Sequence, residues 1–95
     1  MFYRVTRYEF APERYDDILA WADKRTDDIR AIPGLSTVDT FVSGPGEGMI
    51  VAAYESEADF EAAADTVMAI LGDMGQFMTS APMTASGTVD WTTRM

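Results

Sequence analysis

Hydrophobic positions along this chain switch between a period of two and a period of three to four. Phe2 to Phe10 alternates and is rich in aromatic and β-branched residues, which predicts a first strand. Phe2, Arg4, Thr6, Tyr8 and Phe10 share one face of it, and Tyr3, Val5, Arg7 and Glu9 share the other. Pro12 suits the first turn of a helix, where a missing N–H costs nothing. From Glu13 to Ile32 the apolar positions Tyr15, Ile18, Leu19, Ala22, Ile29 and Ile32 follow helical spacing, and Pro33-Gly34 stops the helix. Leu35 to Val42 alternates again as a second strand. A third runs from Met49 to Glu55 after the glycine-rich Gly44–Gly48 link, which predicts an antiparallel hairpin. Ser56 is placed to cap a second helix, whose inner stripe is Phe60, Ala63, Ala64, Val67, Ile70, Leu71 and Met74. Gly72 and Gly75 weaken its end, and Gln76 to Pro82 reads as a loop or a short extra turn. Met83 to Thr93, with Val89 and Trp91, is the predicted last strand, and Trp91 reads as a core residue.

The order β-α-β-β-α-β predicts an α+β, ferredoxin-like fold: a four-stranded antiparallel sheet with both helices on one face. All 95 residues fit one domain, 1–95. The third strand is apolar on both faces, with Met49, Val51 and Ala53 opposite Ile50, Ala52 and Tyr54. A sheet with one face in water should show a polar face. The second face is therefore expected to be covered by another copy, giving a homodimer.

Composition narrows the chemistry. The chain has no Cys and no His, which excludes thiol nucleophiles, imidazole bases and sites ligated by either. With 16 acids against 7 bases the formal charge is −9, so nucleic acid and anionic membranes are poor partners. The N-terminus alternates and lacks the apolar core of a signal peptide, no stretch is long enough to span a membrane, and the cytoplasm is the expected location. The scattered acids lack metal-binding spacing, and the Gly44–Gly48 run has no Lys-Ser or Lys-Thr end, so it reads as a turn and not a phosphate loop. No cofactor or metal is expected.

Three stretches carry a resemblance: Ala11-Pro12-Glu13 after the opening strand, Ile32-Pro33-Gly34-Leu35, and Ala53-Tyr54-Glu55-Ser56-Glu57-Ala58-Asp59-Phe60. Through them the chain resembles the dimeric α/β-barrel superfamily, and especially its small members similar to antibiotic-biosynthesis monooxygenases. The resemblance implies two ferredoxin-like subunits whose sheets close a barrel, with a ligand pocket in each between sheet and helices. It also implies that the Arg4, Thr6 and Tyr8 face looks toward the helices. Haem-degrading members of the superfamily use an Asn, a Trp and a His where this chain holds Thr6, Ala63 and Asp73, so that activity does not carry over. The fold hosts many reactions, and the resemblance leaves the reaction open.

Within such a pocket, Arg4 and Tyr8 are candidate catalytic residues, able to orient a phenolate or enolate as charge develops. Asp73, near the end of the second helix, is the candidate acid or base. Thr6, Tyr54, Phe60, Met74 and Phe77 are candidate ligand-binding residues. Met68, Met74, Phe77, Met78 and Met83 gather around the end of that helix and read either as a lid or as a loop with apolar anchors. Trp21 breaks the helical spacing and belongs at a cleft edge or in the dimer contact. Arg7, on the other sheet face, needs an acid to offset desolvation, and Asp39 and Asp90 are candidates. The functional expectation is a dimer that binds a small aromatic or polyketide-like metabolite, acting as a cofactor-independent monooxygenase. The alternatives are a non-catalytic ligand- or protein-binding module, and an isomerase or cyclase with Asp39 or Asp73 as base.

Overall fold

A computed structural model describes residues 1–94 of the chain. Four strands, β1 (Phe2–Glu9), β2 (Leu35–Gly44), β3 (Glu47–Tyr54) and β4 (Met83–Thr88), form one sheet in the order β2-β3-β1-β4. Every neighbouring pair is antiparallel. Helices α1 (Tyr15–Arg30), α2 (Glu57–Ala62) and α3 (Ala64–Met74) fill the two crossovers. This is the ferredoxin-like β-α-β-β-α-β arrangement that the alternating periods predict, and the register fixes its faces. Phe2, Arg4, Thr6 and Tyr8 are buried on the helical face, level with Tyr54, Ala52, Ile50 and Gly48 of β3. One core cluster joins Phe2, Ile32, Ala52, Tyr54, Ala63 and Val67, and a second joins Tyr8, Phe10, Ile18, Ile50, Met74 and Phe77.

The element ends depart from the pattern for local reasons. The first helix opens as a single 3₁₀ turn, Pro12–Arg14, before α1 begins. The β2–β3 hairpin is tighter than expected: its turn is centred on Pro45-Gly46, Gly46 takes φ +71°, and Phe10 N–H donates to the Gly46 carbonyl at 2.9 Å. Ser56 caps α2 as predicted, its Oγ accepting from the Asp59 N–H at 3.2 Å. The second helix is two helices. It breaks at Ala63, which adopts φ −86°, ψ −6° and is buried in the first core cluster. Alanine is the best helix former, so this break comes from packing and leaves no mark in local propensity.

The last strand ends at Thr88, five residues earlier than expected. Thr88 lies opposite Phe2, where β1 begins, and Val89 N–H donates to the Met1 carbonyl. Trp91 lies beyond that limit and is 77% exposed, not part of the core. Arg7 finds its acid in Glu47, at 2.7 Å, and not in Asp39 or Asp90. Glu47 opens β3 and shares the open sheet face with Arg7, whose neighbour there is Met49. No helix among the described residues is long and apolar enough to cross a membrane.

Candidate functional site

The helices do not seal the sheet. Between them lies a cavity of about 530 Å³, within the range of small-molecule sites. The sheet contributes Arg4, Tyr8, Ile50 and Tyr54 to its wall, α1 contributes Ile18 and Trp21, and α3 contributes Val67, Leu71 and Met74. β2 contributes to its lining from Leu35 to Val42.

Arg4 is the unusual member of this wall. Its place in β1 turns it toward the helices, opposite the fully buried Ala52, and leaves it only 8% exposed. Its guanidinium carbon lies 5.8 Å from the centroid of the Tyr54 ring, a cation–π contact. Its Nε has no hydrogen-bond partner, and none of the four ion pairs among the described residues includes it. Tyr54 closes β3 with its side chain fully buried and its hydroxyl also unpartnered. Two side-chain polar atoms, Arg4 Nε and the Tyr54 hydroxyl, are therefore shut off from solvent without partners. Burial of this kind is costly unless something else satisfies the groups.

Tyr8 stands toward the opposite end of the wall. It leans on Phe10, with ring centroids 5.7 Å apart, and lies across Gly48. A Cβ on Gly48 would come within 2.4 Å of Tyr8 Cζ, so glycine is what lets the ring lie flat there. Burial first, and the neighbouring Tyr15 second, push the Tyr8 phenol above its ordinary value of 10.0. Near neutral pH it is a neutral hydrogen-bond donor, not a phenolate.

The remaining candidates divide. Met74 lines the cavity with Arg4, Tyr8 and Tyr54. Thr6 is fully buried but lies outside the wall, with its Oγ1 3.3 Å from Thr84 Oγ1. Phe60 supports the site from behind: its ring packs 4.6 Å from Phe2 and 5.3 Å, edge-on, from Tyr54. Phe77 packs against Trp21 at 6.3 Å and beneath the Arg14 guanidinium at 5.0 Å. Asp73 is not in the wall. Its Oδ2 accepts from Trp21 Nε1 at 2.6 Å and from the Arg25 guanidinium. The Trp21 bond first, and Arg25 second, hold its carboxyl below the ordinary 3.8. That makes Asp73 a weak base and a tie between α3 and α1. Trp21 is thus at the cleft edge, with its ring in the wall and its N–H on Asp73.

The methionine-rich segment is not one lid. Met74 and Phe77 are buried, Met78 is bridged to Phe10, and Met68 and Met83 lie exposed on the surface. Three contributors escaped the sequence reading. Gly48 was legible only once the hairpin register placed it opposite Tyr8. Arg25 follows Trp21 by one helical turn, a spacing that puts both on one face. Arg30, on the cavity rim, has no sequence signal beyond its place at a helix end. Among the described residues no cluster of acids could hold a metal ion.

Comparison with known proteins bears on the fold. No family model and no curated protein matches the sequence. Solved structures do. An antibiotic biosynthesis monooxygenase superposes with a TM-score of 0.74 at 15% identity, over 94% of this chain and 98% of that one. The Rv0793 protein from Mycobacterium tuberculosis superposes with a TM-score of 0.75 at 16% identity, over 97% of each chain. A monooxygenase of Streptomyces coelicolor in complex with nanaomycin D superposes with a TM-score of 0.76 at 20% identity, over 96% of this chain and 88% of that one. From end to end, this chain is similar in fold to the antibiotic-biosynthesis-monooxygenase-like proteins.

Proposed function

We propose that the chain binds a small anionic aromatic or polyketide-like metabolite in the cavity between sheet and helices, and oxidises it with dioxygen as a cofactor-independent monooxygenase. One observation carries this reading: the buried Arg4 guanidinium, in no ion pair, on a largely apolar wall. Apolar residues supply the area that binds a ring, and a desolvated cation supplies strong attraction for an anion. Arg4 and the neutral Tyr8 hydroxyl hold the metabolite, while Trp21 and Met74 exclude water. The electrons come from the electron-rich ring of the substrate. A ring C–H and a phenolic O–H are converted to a quinone, one atom of dioxygen enters the product and the other leaves as water.

We further propose that the working unit is a homodimer formed through the open sheet face. Tyr3, Val5, Met49, Val51, Phe41 and Met83 point there, and the Arg7–Glu47 pair borders them. The Streptomyces coelicolor monooxygenase, which shares the fold, supports the reaction class.

The test is oxygen uptake by the purified protein with a panel of polycyclic phenols. One dioxygen should be consumed per quinone formed, and Arg4→Ala should slow the reaction about 100-fold, the usual cost of removing a donor that stabilises developing charge. Binding without oxygen uptake would identify a ligand-binding module instead. Neither binding nor uptake, with Arg4→Ala indistinguishable from the parent, would overturn the proposal.

A further inference from the structure

The charges around the cavity are arranged against the trend of the molecule. The chain carries −9 overall, and such a field keeps anions away. Arg7, Arg14 and Arg25 are each neutralised by a carboxylate. Arg4 and Arg30 are not in those pairs, and both line the cavity. They stand at the same end of it. Arg4 lies against Tyr54, Tyr54 lies opposite Leu35, and Leu35 N–H donates to the Ile32 carbonyl, two residues after Arg30. The lining carboxylate, Asp39, springs from a position opposite Val51, on the side of the sheet turned away from the helices.

We propose that the cavity is built for an aromatic acid: its carboxylate seats on the Arg4 guanidinium, and Arg30 draws it in from the rim. This rests on the reading that the cavity is a ligand site, and it adds the class of ligand and the direction of entry. Arg4 lines the cavity and belongs to none of the ion pairs among the described residues, and a carboxylate offers a guanidinium two oxygens. A carboxylate is also ionised at neutral pH, whereas a simple phenol, titrating near pH ~10, would have to be deprotonated first. The acid end goes in first, because the buried cation lies on the sheet and the exposed one on the rim. The ring then extends along the wall toward Tyr8.

The experiment titrates 2-naphthoate and its neutral counterpart 2-naphthamide into the intact protein, by calorimetry and by stopped-flow tryptophan fluorescence. Naphthoate should bind about tenfold or more tightly than naphthamide, the minimum expected of a charge-assisted hydrogen bond in a buried site. Arg4→Met should bring naphthoate down to the level of naphthamide and, by removing an uncompensated buried charge, raise the melting temperature of the ligand-free protein. Arg30→Gln should slow naphthoate association several-fold, flatten its dependence on salt, and leave naphthamide unchanged. Equal binding of both probes, unaffected by Arg4→Met, would overturn the carboxylate seat and leave a ligand cavity standing. Arg4→Met that melts lower and loses both probes would show the arginine to be a structural prop, overturning the seat. No binding of either probe would overturn the cavity reading together with this one.

Discussion

Tyr8 keeps its orientation because the residue facing it has no side chain. Gly48 pairs with Tyr8 across β1 and β3, and any Cβ there would collide with the phenol ring. Gly48→Ala should therefore cost about 1–3 kcal/mol, as overpacking in a core usually does. Thermal unfolding of a double-mutant cycle checks the cause: the cost should shrink when Tyr8→Leu is present, since the shorter side chain removes the clash. A cost that persisted in full would point to the backbone of the hairpin instead. Gly34 is a different case. It combines φ +78° with a Cβ position only 2.3 Å from Asp59 Cγ, so conformation and space both demand glycine between α1 and β2. Chemistry at this scale was partly legible. Arg4, Tyr8 and Tyr54 could be placed on the helical face by alternation together with the family resemblance. Arg4's lack of a partner could not, because pairing depends on which acids the fold brings near. Arg7 makes the same point: its acid came from Glu47, a residue that counting along strands did not nominate.

Between elements, the roof of the cavity is tied at one point by polar contacts. Asp73 on α3 receives hydrogen bonds from Trp21 and Arg25 on α1. These bonds favour the ionised carboxylate, so its value in the folded protein lies below the 3.8 of the free group. The stabilisation is therefore complete above the unfolded value and is lost as pH falls through the folded one. Asp73→Asn should lower the melting temperature at pH 7 by a few degrees, and the gap between the two proteins should close as pH is taken below 3.8. Melting curves across that range decide it. A gap independent of pH would mean that the carboxylate charge contributes nothing. Elements themselves were read well where periodicity is long. They were read poorly where tertiary contacts set the boundary. Ala63 breaks a stretch of good helix formers because it packs beside Phe2 and Tyr54 in the core. β4 stops at Thr88 because β1 starts at Phe2, a limit imposed by a partner more than eighty residues away in sequence.

The whole molecule is a sheet covered on one side. Its open face carries Val5, Met49, Val51 and Phe41, and the proposed second copy would bury them. Val51→Lys places a charge at the middle of that face, where desolvation without a partner is heavily penalised. Sedimentation should show the parent near twice 10.5 kDa and the variant at 10.5 kDa, with the cavity residues untouched. A parent that sediments as a single chain would remove the dimer.

β4 has a further meaning for such a chain. All six of its residues are exposed, and it is held by β1 alone. In a lone subunit an exposed strand held along one edge opens more readily than the strands inside the sheet, and what opens is cut by proteases. If pairing covers it, survival inside a cell depends on abundance. Newly made chains at low concentration would then be cleared quickly, and those that accumulate would protect one another. The half-life of the protein would then rise with its own expression, giving a threshold in its steady-state level with no dedicated regulator.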